Sequence, residues 1–386
     1  MIDISNKSAC CGCGACKQIC PAQCVAMQSD KEGFLYPVVD AGKCVNCHRC
    51  EVVCPVLNAG AQDDTVIGCY IGYAKDTQIR RTSSSGGLFS LFAEEVLANG
   101  GVVYGAAFDD NFAVSHIRID RMDQLPRLQG SKYLQSWTGD TFAQVKTDLA
   151  LNRRVLYSGT ACQIEGLKRY LACEDDYLMT IDVLCHGVPS PSVWAAYINR
   201  ACARKNASIR SVNFRDKAAG WKNYHLNLGF HEGNDYSVSH RDDPFMRLFL
   251  SEACLRPSCH NCKFKHLHRS SDITLGDAWS IQKYMPDMDD DGGTSVILVH
   301  SEKGAQWLYR VEDGAVLKAA EVDIALPPSA DSRNSVHAHP KREEFFERLN
   351  RDGDRAFEWW ERQIKLGKLK KLARRIVKRA LLWSNR

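Results

Sequence analysis

Two stretches decide how this chain is read: ACCGCGACKQICP at residues 9–21 and GKCVNCHRCEVVCP at residues 42–55. The first spaces its cysteines as Cys10-x2-Cys13-x2-Cys16-x3-Cys20 and ends in Pro21. The second runs Cys44-x2-Cys47-x2-Cys50-x3-Cys54 and ends in Pro55. Each position of the second lies 34 residues after its counterpart (Cys10 to Cys44, Cys20 to Cys54), so the two form an internal repeat. This spacing serves two 4Fe–4S clusters: three close cysteines wrap a corner of one cube, and the fourth, before proline, crosses to the other. The expected quartets are Cys10, Cys13, Cys16 and Cys54, and Cys44, Cys47, Cys50 and Cys20. Gly12, Gly14 and Ala15 are small enough to let backbone amides approach a cluster. Zinc is the plainer alternative. It takes four thiolates, commonly as two separated CxxC pairs, and fits two complete runs ending in Cys-Pro poorly. Cys11 and Cys24 have no place in the scheme.

The chain has 386 residues, enough for two or three domains, and 45% hydrophobic residues, enough for an ordinary core. Cysteine is the outlier, with 18 residues, ten of them between Cys10 and Cys54. No signal peptide and no apolar stretch near membrane-spanning length is evident. The expected location is therefore the cytoplasm, or peripherally the inner face of the membrane, where thiols stay reduced and clustered cysteines bind metal. The net charge of +4 conceals an asymmetry: from Arg362 to Arg386 there are ten Lys/Arg and no Asp/Glu. The remainder is mildly acidic, which argues against a general nucleic-acid binder.

Beyond a polar linker at 58–64, strand-like and helix-like segments alternate. Val66–Ala74 and Val102–Phe108 read as strands. Between them Ser83-Ser84-Ser85-Gly86-Gly87 opens a helix with Leu88, Phe89, Phe92, Val96 and Leu97 at helical spacing. Arg154–Tyr157 is a short strand, and Ser158-Gly159-Thr160-Ala161-Cys162 turns into a helix reaching Leu171. Tyr177–Leu184 is a strand with Cys185-His186-Gly187 at its end. Ser190–Arg204 is a helix with Pro191 in its first turn. Ser295–His300 and Lys303–Val311 read as strand and helix. Such alternation predicts an α/β domain, with ligands at the carboxyl ends of the strands.

The segments SSSGG (83–87), QGSKYLQS (129–136), SGTACQIEGL (158–167), DVLCHGVPSP (182–191), NFRDKAAGW (213–221), LRPSCHNCKF (255–264) and SDITLGDAW (271–279) resemble, in order, the coenzyme F-420 hydrogenase/dehydrogenase beta-subunit family, here behind a ferredoxin domain. Ala161 departs from the family pattern, where proline is expected, while Cys162 and Gln163 are retained. The resemblance implies FAD and at least one further 4Fe–4S cluster. It implies an iron–sulfur flavoprotein oxidoreductase acting with a redox partner protein or small electron donor on a small-molecule substrate, with a link to polysaccharide biosynthesis conceivable. The alternative is a non-catalytic electron-carrier subunit of a hydrogenase or dehydrogenase complex.

For the flavin, Ser84, Ser85, Gly86 and Gly87 offer hydroxyls and helix-terminal amides to a phosphate. Gly130, Ser131, Lys132 and Tyr133 add a charge and a ring; the plain reading is an N-capped helix and a surface loop. For the third cluster, Cys162, Cys185, Cys259 and Cys262 lie inside the matched segments, with Cys254 as rival fourth ligand and ordinary burial of small thiols as the alternative. His186 is the candidate acid/base group or a structural histidine. Arg215 and Asp277 bind cofactor or pair structurally. His266 and His268, and the run Asp287–Asp291, read as solvated loops.

The expected organisation is a ferredoxin-like α+β module over 1–60, an α/β flavoprotein domain over 65–325 and a basic helical tail over 340–386. A helix is expected over Glu343–Phe357. Trp359, Trp360, Leu369, Leu372, Ile376, Ala380 and Trp383 then mark a basic amphipathic helix for an anionic membrane surface (359–386), or for docking on an acidic partner or on the acidic body of this chain.

Overall fold

The computed structural model describes residues 1–59 and 66–366. Strands β1 (Val25–Ser29) and β2 (Leu35–Val39) form an antiparallel hairpin between the two cysteine runs. The repeat persists in the backbone: one-turn helices Ala15–Gln18 and Arg49–Val52 occupy equivalent places. The buried core of this module is Ile2 and Val25 with Cys16, Cys24, Cys50 and Cys54. A core with so little hydrocarbon does not offset chain entropy unaided, so ligand binding by these thiols and folding are coupled.

The remaining strands are β3 (Gly68–Ala74), β4 (Val102–Phe108), β5 (Val114–Ile119), β6 (Val155–Thr160), β7 (Leu178–Val183), β8 (Ile209–Asp216), β9 (His225–Phe230), β10 (Tyr236–Ser239), β11 (Ile273–Asp277), β12 (Ser295–Val299) and β13 (Ala315–Ala319). Eight make one sheet in the order β13-β3-β12-β11-β7-β6-β4-β5. Its centre, β4, β6, β7 and β11, is parallel, and the other pairings are antiparallel. Helices Leu88–Ala98 and Glu302–Val311 cover one face through Phe92, Val96, Trp307 and Leu308. Helices Thr141–Ala150 and Ala161–Leu171 cover the other near β4 and β6, through Phe142, Val145, Ile164 and Leu167. Burial on both faces explains why β12 reads as an unbroken apolar run. The α/β expectation therefore holds in a coarser form, a mixed sheet with a parallel centre.

A second, antiparallel sheet, β8-β9-β10, packs with helices Pro191–Lys205 and Pro244–Phe249. Helix Arg342–Asp352 joins it, then a break at Gly353 (φ 61°) and a second helix over 355–366. The single helix expected over 343–357 is thus two. Their shared core is aromatic, with Trp194, Phe214, Phe245, Phe345, Phe357 and Trp360. Trp360 is 1% exposed, and Trp359 lies against Arg348 and Lys341 at 4.6 and 5.5 Å. Both tryptophans assigned to a membrane-facing helix are thus packed against protein. Residues 367–386, with the rest of the proposed amphipathic stripe, lie outside the described residues. Among the described residues no helix is long and apolar enough to cross a membrane.

Candidate functional site

The cysteines of each predicted quartet lie near one another. The thiols of Cys13, Cys16 and Cys54 lie close enough to feel one another and Cys10, and burial pushes Cys16 up to about 12. Cys20, Cys44, Cys47 and Cys50 line one small cavity on the outer side of the module. Cys24 lines it too, with its sulfur 3.4 Å from that of Cys20. Asn58, read as the start of a linker, instead caps the last turn of the second run, donating to the carbonyls of Glu51, Val52 and Cys54.

The first run presses against the body. Thr138 Oγ1 donates to the Cys13 carbonyl (2.8 Å), Lys17 pairs with Asp140 (2.6 Å), and Gln18 Oε1 accepts from Phe142 N (2.9 Å). Arg256 donates to the Cys10 carbonyl (2.7 Å) and Leu35 carbonyl (2.9 Å), to Gln135 Oε1 (2.8 Å), and to Cys10 Sγ at 3.4 Å.

Beneath this junction lies a cleft of about 490 Å³, in the size range of cofactor sites. Cys162, Cys185, Cys259 and Cys262 all line it, and their thiols raise one another as buried like charges do. Burial is the largest cause at Cys259, which reaches about 12. Thiols so placed stay protonated until a metal replaces their protons, so the donor set fits an iron–sulfur cluster. Among the described residues no three ligating side chains converge on a single-ion site. Cys254 is not part of the group: it is wholly buried in the aromatic core. Cys11, which had no role in the sequence scheme, lines the cleft, and its thiol lies near those of Cys13 and Cys162.

The local sequence explains this placement. Cys162 is carried on the turn from β6 into helix Ala161–Leu171, where the Gln163 side chain reaches back to Thr160 N (3.0 Å). Cys185 and His186 follow the end of β7, as expected of strand ends in such sheets. Cys259 and Cys262 lie on the 3-10 turn Pro257–Asn261 and its cap.

The predicted flavin segments line the same cleft, with one exception. Ser84, Ser85, Gly87, Gly130, Ser131, Lys132 and Tyr133 border it. Gly86 does not; its amide donates to Ser295 Oγ (3.0 Å) and it packs on β3. Ser84 Oγ accepts from Ser131 N at 2.6 Å, joining the two segments. Ser85 Oγ donates to the Thr294 carbonyl (3.0 Å). Lys132 Nζ donates to the carbonyls of Arg127, Gln129 and Gly130, and burial pushes it down to about 7. Arg215 and Asp277 pair with each other (3.0 Å). Arg215 also reaches the Tyr133 hydroxyl (3.1 Å) and the Ser84 carbonyl (3.1 Å), so the pair braces the cleft wall. The charged side chains lining the cleft are Lys132, Arg215, Lys263, Lys265 and Arg269 against the single acid Asp277, which favours an anionic ligand.

His186 borders the cleft, with Nε2 3.4 Å from Glu252 Oε1 and its ring edge-on to Phe249. His116, which the sequence did not single out, lies at the same wall, between Ser136 Oγ (2.7 Å) and the Ser158 carbonyl (2.9 Å), stacked on Tyr157. Burial pushes it down to about 4, so it is a neutral brace. Trp279 stacks on Trp221 at 4.7 Å and stays half-exposed at the rim. The acidic run is no free turn: Asp290 pairs with Arg80, Asp289 with Lys222 and Asp287 with Lys318. His266 is tied to the Lys263 carbonyl, and its ring lies 6.1 Å from that of His268.

Residues 152–324 match a family model for the C terminus of the coenzyme F420 hydrogenase/dehydrogenase beta subunit, and residues 9–58 match one for a 4Fe-4S dicluster domain. The chain joins a beta-subunit domain of this family to a dicluster domain. The first of these domains contains Cys162, Cys185, Cys259, Cys262 and Arg215; the dicluster domain contains both N-terminal quartets. No curated protein matches the chain. Among solved structures, a chain of the F420-reducing NiFe hydrogenase complex from Methanosarcina barkeri, studied by xenon derivatisation, is similar at 14% identity and a TM-score of 0.45. The match covers 75% of this chain and 90% of that one.

Proposed function

We propose that the chain is an iron–sulfur flavoprotein oxidoreductase that exchanges electrons between a redox partner and a small-molecule substrate. The observation that carries this reading is a single cleft bordered at once by four half-buried cysteines, by both predicted flavin segments and by His186. When bound, the clusters supply one-electron carriage and FAD the exchange between one- and two-electron chemistry. Cys162, Cys185, Cys259 and Cys262 hold the third cluster. Gly87, Ser131 and Lys132, with the free amides opening helix Leu88–Ala98, face the anionic part of the dinucleotide. Lys132 keeps its proton as that charge arrives, because an anion offsets the burial that lowers it. His186 holds a proton at Nε2 beside Glu252, within reach of the cleft. Arg215 and Asp277 keep the two flavin segments in register.

One observation favours the electron-carrier reading instead: the hydroxyls of Ser83, Ser84 and Ser85 are all engaged within the protein. Anaerobic purification with iron, sulfide and flavin measured on one sample decides between them. About twelve irons with one FAD per chain supports three clusters and a flavin enzyme; about eight irons without flavin leaves a two-cluster carrier.

A further inference from the structure

Arg256 is 0% exposed, and every partner it has is neutral: three oxygens, the sulfur of Cys10, and the ring of Tyr36 at 4.2 Å. Among the described residues no carboxylate pairs with it. A guanidinium taken wholly out of water without a counter-charge costs several kcal/mol. The nearest group able to carry negative charge is Cys10, whose Sγ lies 3.4 Å from the guanidinium. Three residues beyond Arg256 stands Cys259. The same residue therefore touches the inner quartet of the dicluster domain and borders the quartet of the beta-subunit domain.

We propose that Arg256 is the counter-charge of the inner quartet, Cys10, Cys13, Cys16 and Cys54, and raises its one-electron reduction potential. This rests on the iron–sulfur reading of those cysteines. One-electron reduction would add one negative charge to the cluster that these four cysteines would hold and would move no proton; the electron comes from a low-potential one-electron donor, which is oxidised. Arg256 stabilises that added charge through its own charge and its N–H to Cys10 Sγ, and such interactions set cluster potentials. The outer quartet has no such hydrogen-bonded cation: among the described residues, Cys50 Sγ accepts from Ile2 N at 3.4 Å, and the Met1 ammonium and Arg49 line that cavity without a side-chain hydrogen bond to a sulfur. Arg256 thereby favours electrons at the end of the dicluster domain that faces the body.

The test is a dithionite titration of the anaerobically purified full chain, followed by electron paramagnetic resonance. A Cys47→Ser protein, altered only in the outer quartet, assigns the signals. Iron content is read first: a wild-type protein with fewer than about eight irons overturns the cluster reading itself, separately from the role of Arg256. Given a loaded protein, Arg256→Gln is expected to make reduction of the inner quartet about tenfold less favourable, 59 mV lower for a one-electron couple. The outer potential stays in place. Equal potentials in wild type and a fully loaded Arg256→Gln overturn the proposal and leave Arg256 a structural clamp. Should Arg256→Gln fail to load, Arg256→Met decides. It fills much of the same space with neither charge nor N–H, so a lowered inner potential supports the proposal and an unchanged one overturns it.

Discussion

The two halves of the cysteine repeat share a spacing and differ in everything around it. Gly12 and Gly14 in the first run correspond to Asn46 and His48 in the second, and all four adopt left-handed backbone, with φ of 75°, 79°, 51° and 57°. The second run faces outward and tolerates side chains there; Asn and His are among the residues that enter this region most readily. In the first run the body closes on the backbone: a Cβ on Gly14 would stand 2.7 Å from Thr138 Oγ1, and one on Gly12 2.9 Å from Arg256. The turn geometry thus belongs to cluster binding, and glycine belongs to docking. A repeat can keep its chemistry in both halves while one half becomes an interface.

The largest expected effect that tests this contrast is on stability. Gly14→Ala adds both left-handed strain and a clash with Thr138, and should cost about 3 kcal/mol. His48→Ala meets no such neighbour and should cost about 1 kcal/mol or less. Thermal unfolding of both proteins, loaded with iron, is the measurement; equal losses would break the contrast.

A comparable but pH-dependent effect is expected at His116, which braces the wall next to the docking segment 135–138. Its folded value is near 4 and its unfolded value 6.5, so between these the unfolded chain binds more protons. Its contribution, about 3 kcal/mol, is present above pH 6.5 and is lost as pH falls toward 4. Melting temperatures at pH 7 and pH 4.5 should diverge more in wild type than in His116→Gln. The smallest effect on stability belongs to the outer face, where Val45 and Val52 are 66% and 67% exposed. Val45→Asp should change stability by no more than about 0.5 kcal/mol. It should slow reduction by a protein donor about tenfold while leaving reduction by dithionite unchanged.

Much of this was legible in the sequence because local pattern carried it. The quartets follow from spacing alone, and Val102–Phe108 and the helix ending at Leu171 lie where periodicity puts them. The sheet β8-β9-β10 was not legible: in Ile209–Asp216, arginine, serine and asparagine interrupt the apolar residues, and burial there comes from distant aromatic helices. Nor was β11, whose five residues end in Gly276-Asp277 and owe their strand to pairing with β7 and β12. At the cleft, cysteine pattern and matched segments pointed to four thiols that all line it. Arg256 and Cys11 escaped because their meaning lies in contacts across more than a hundred residues, which no local spacing records. His116 escaped for a different reason: its partners, Ser136 and Ser158, only 20 and 42 residues on, are ordinary residues until folding gathers them around it.

The docking of the first run has a further consequence for the order of events during synthesis. Cys10 meets Arg256, 246 positions later, and Glu32 meets Arg342, 310 positions later. At about 5–20 residues per second, the ribosome delivers Arg256 roughly 10–50 s after the cysteines it will cover. The inner quartet begins that interval uncovered; segment 138–142 can close on it about halfway through, and Arg256 completes the cover. Translation itself therefore provides a loading window, which closes when the distal arginines arrive.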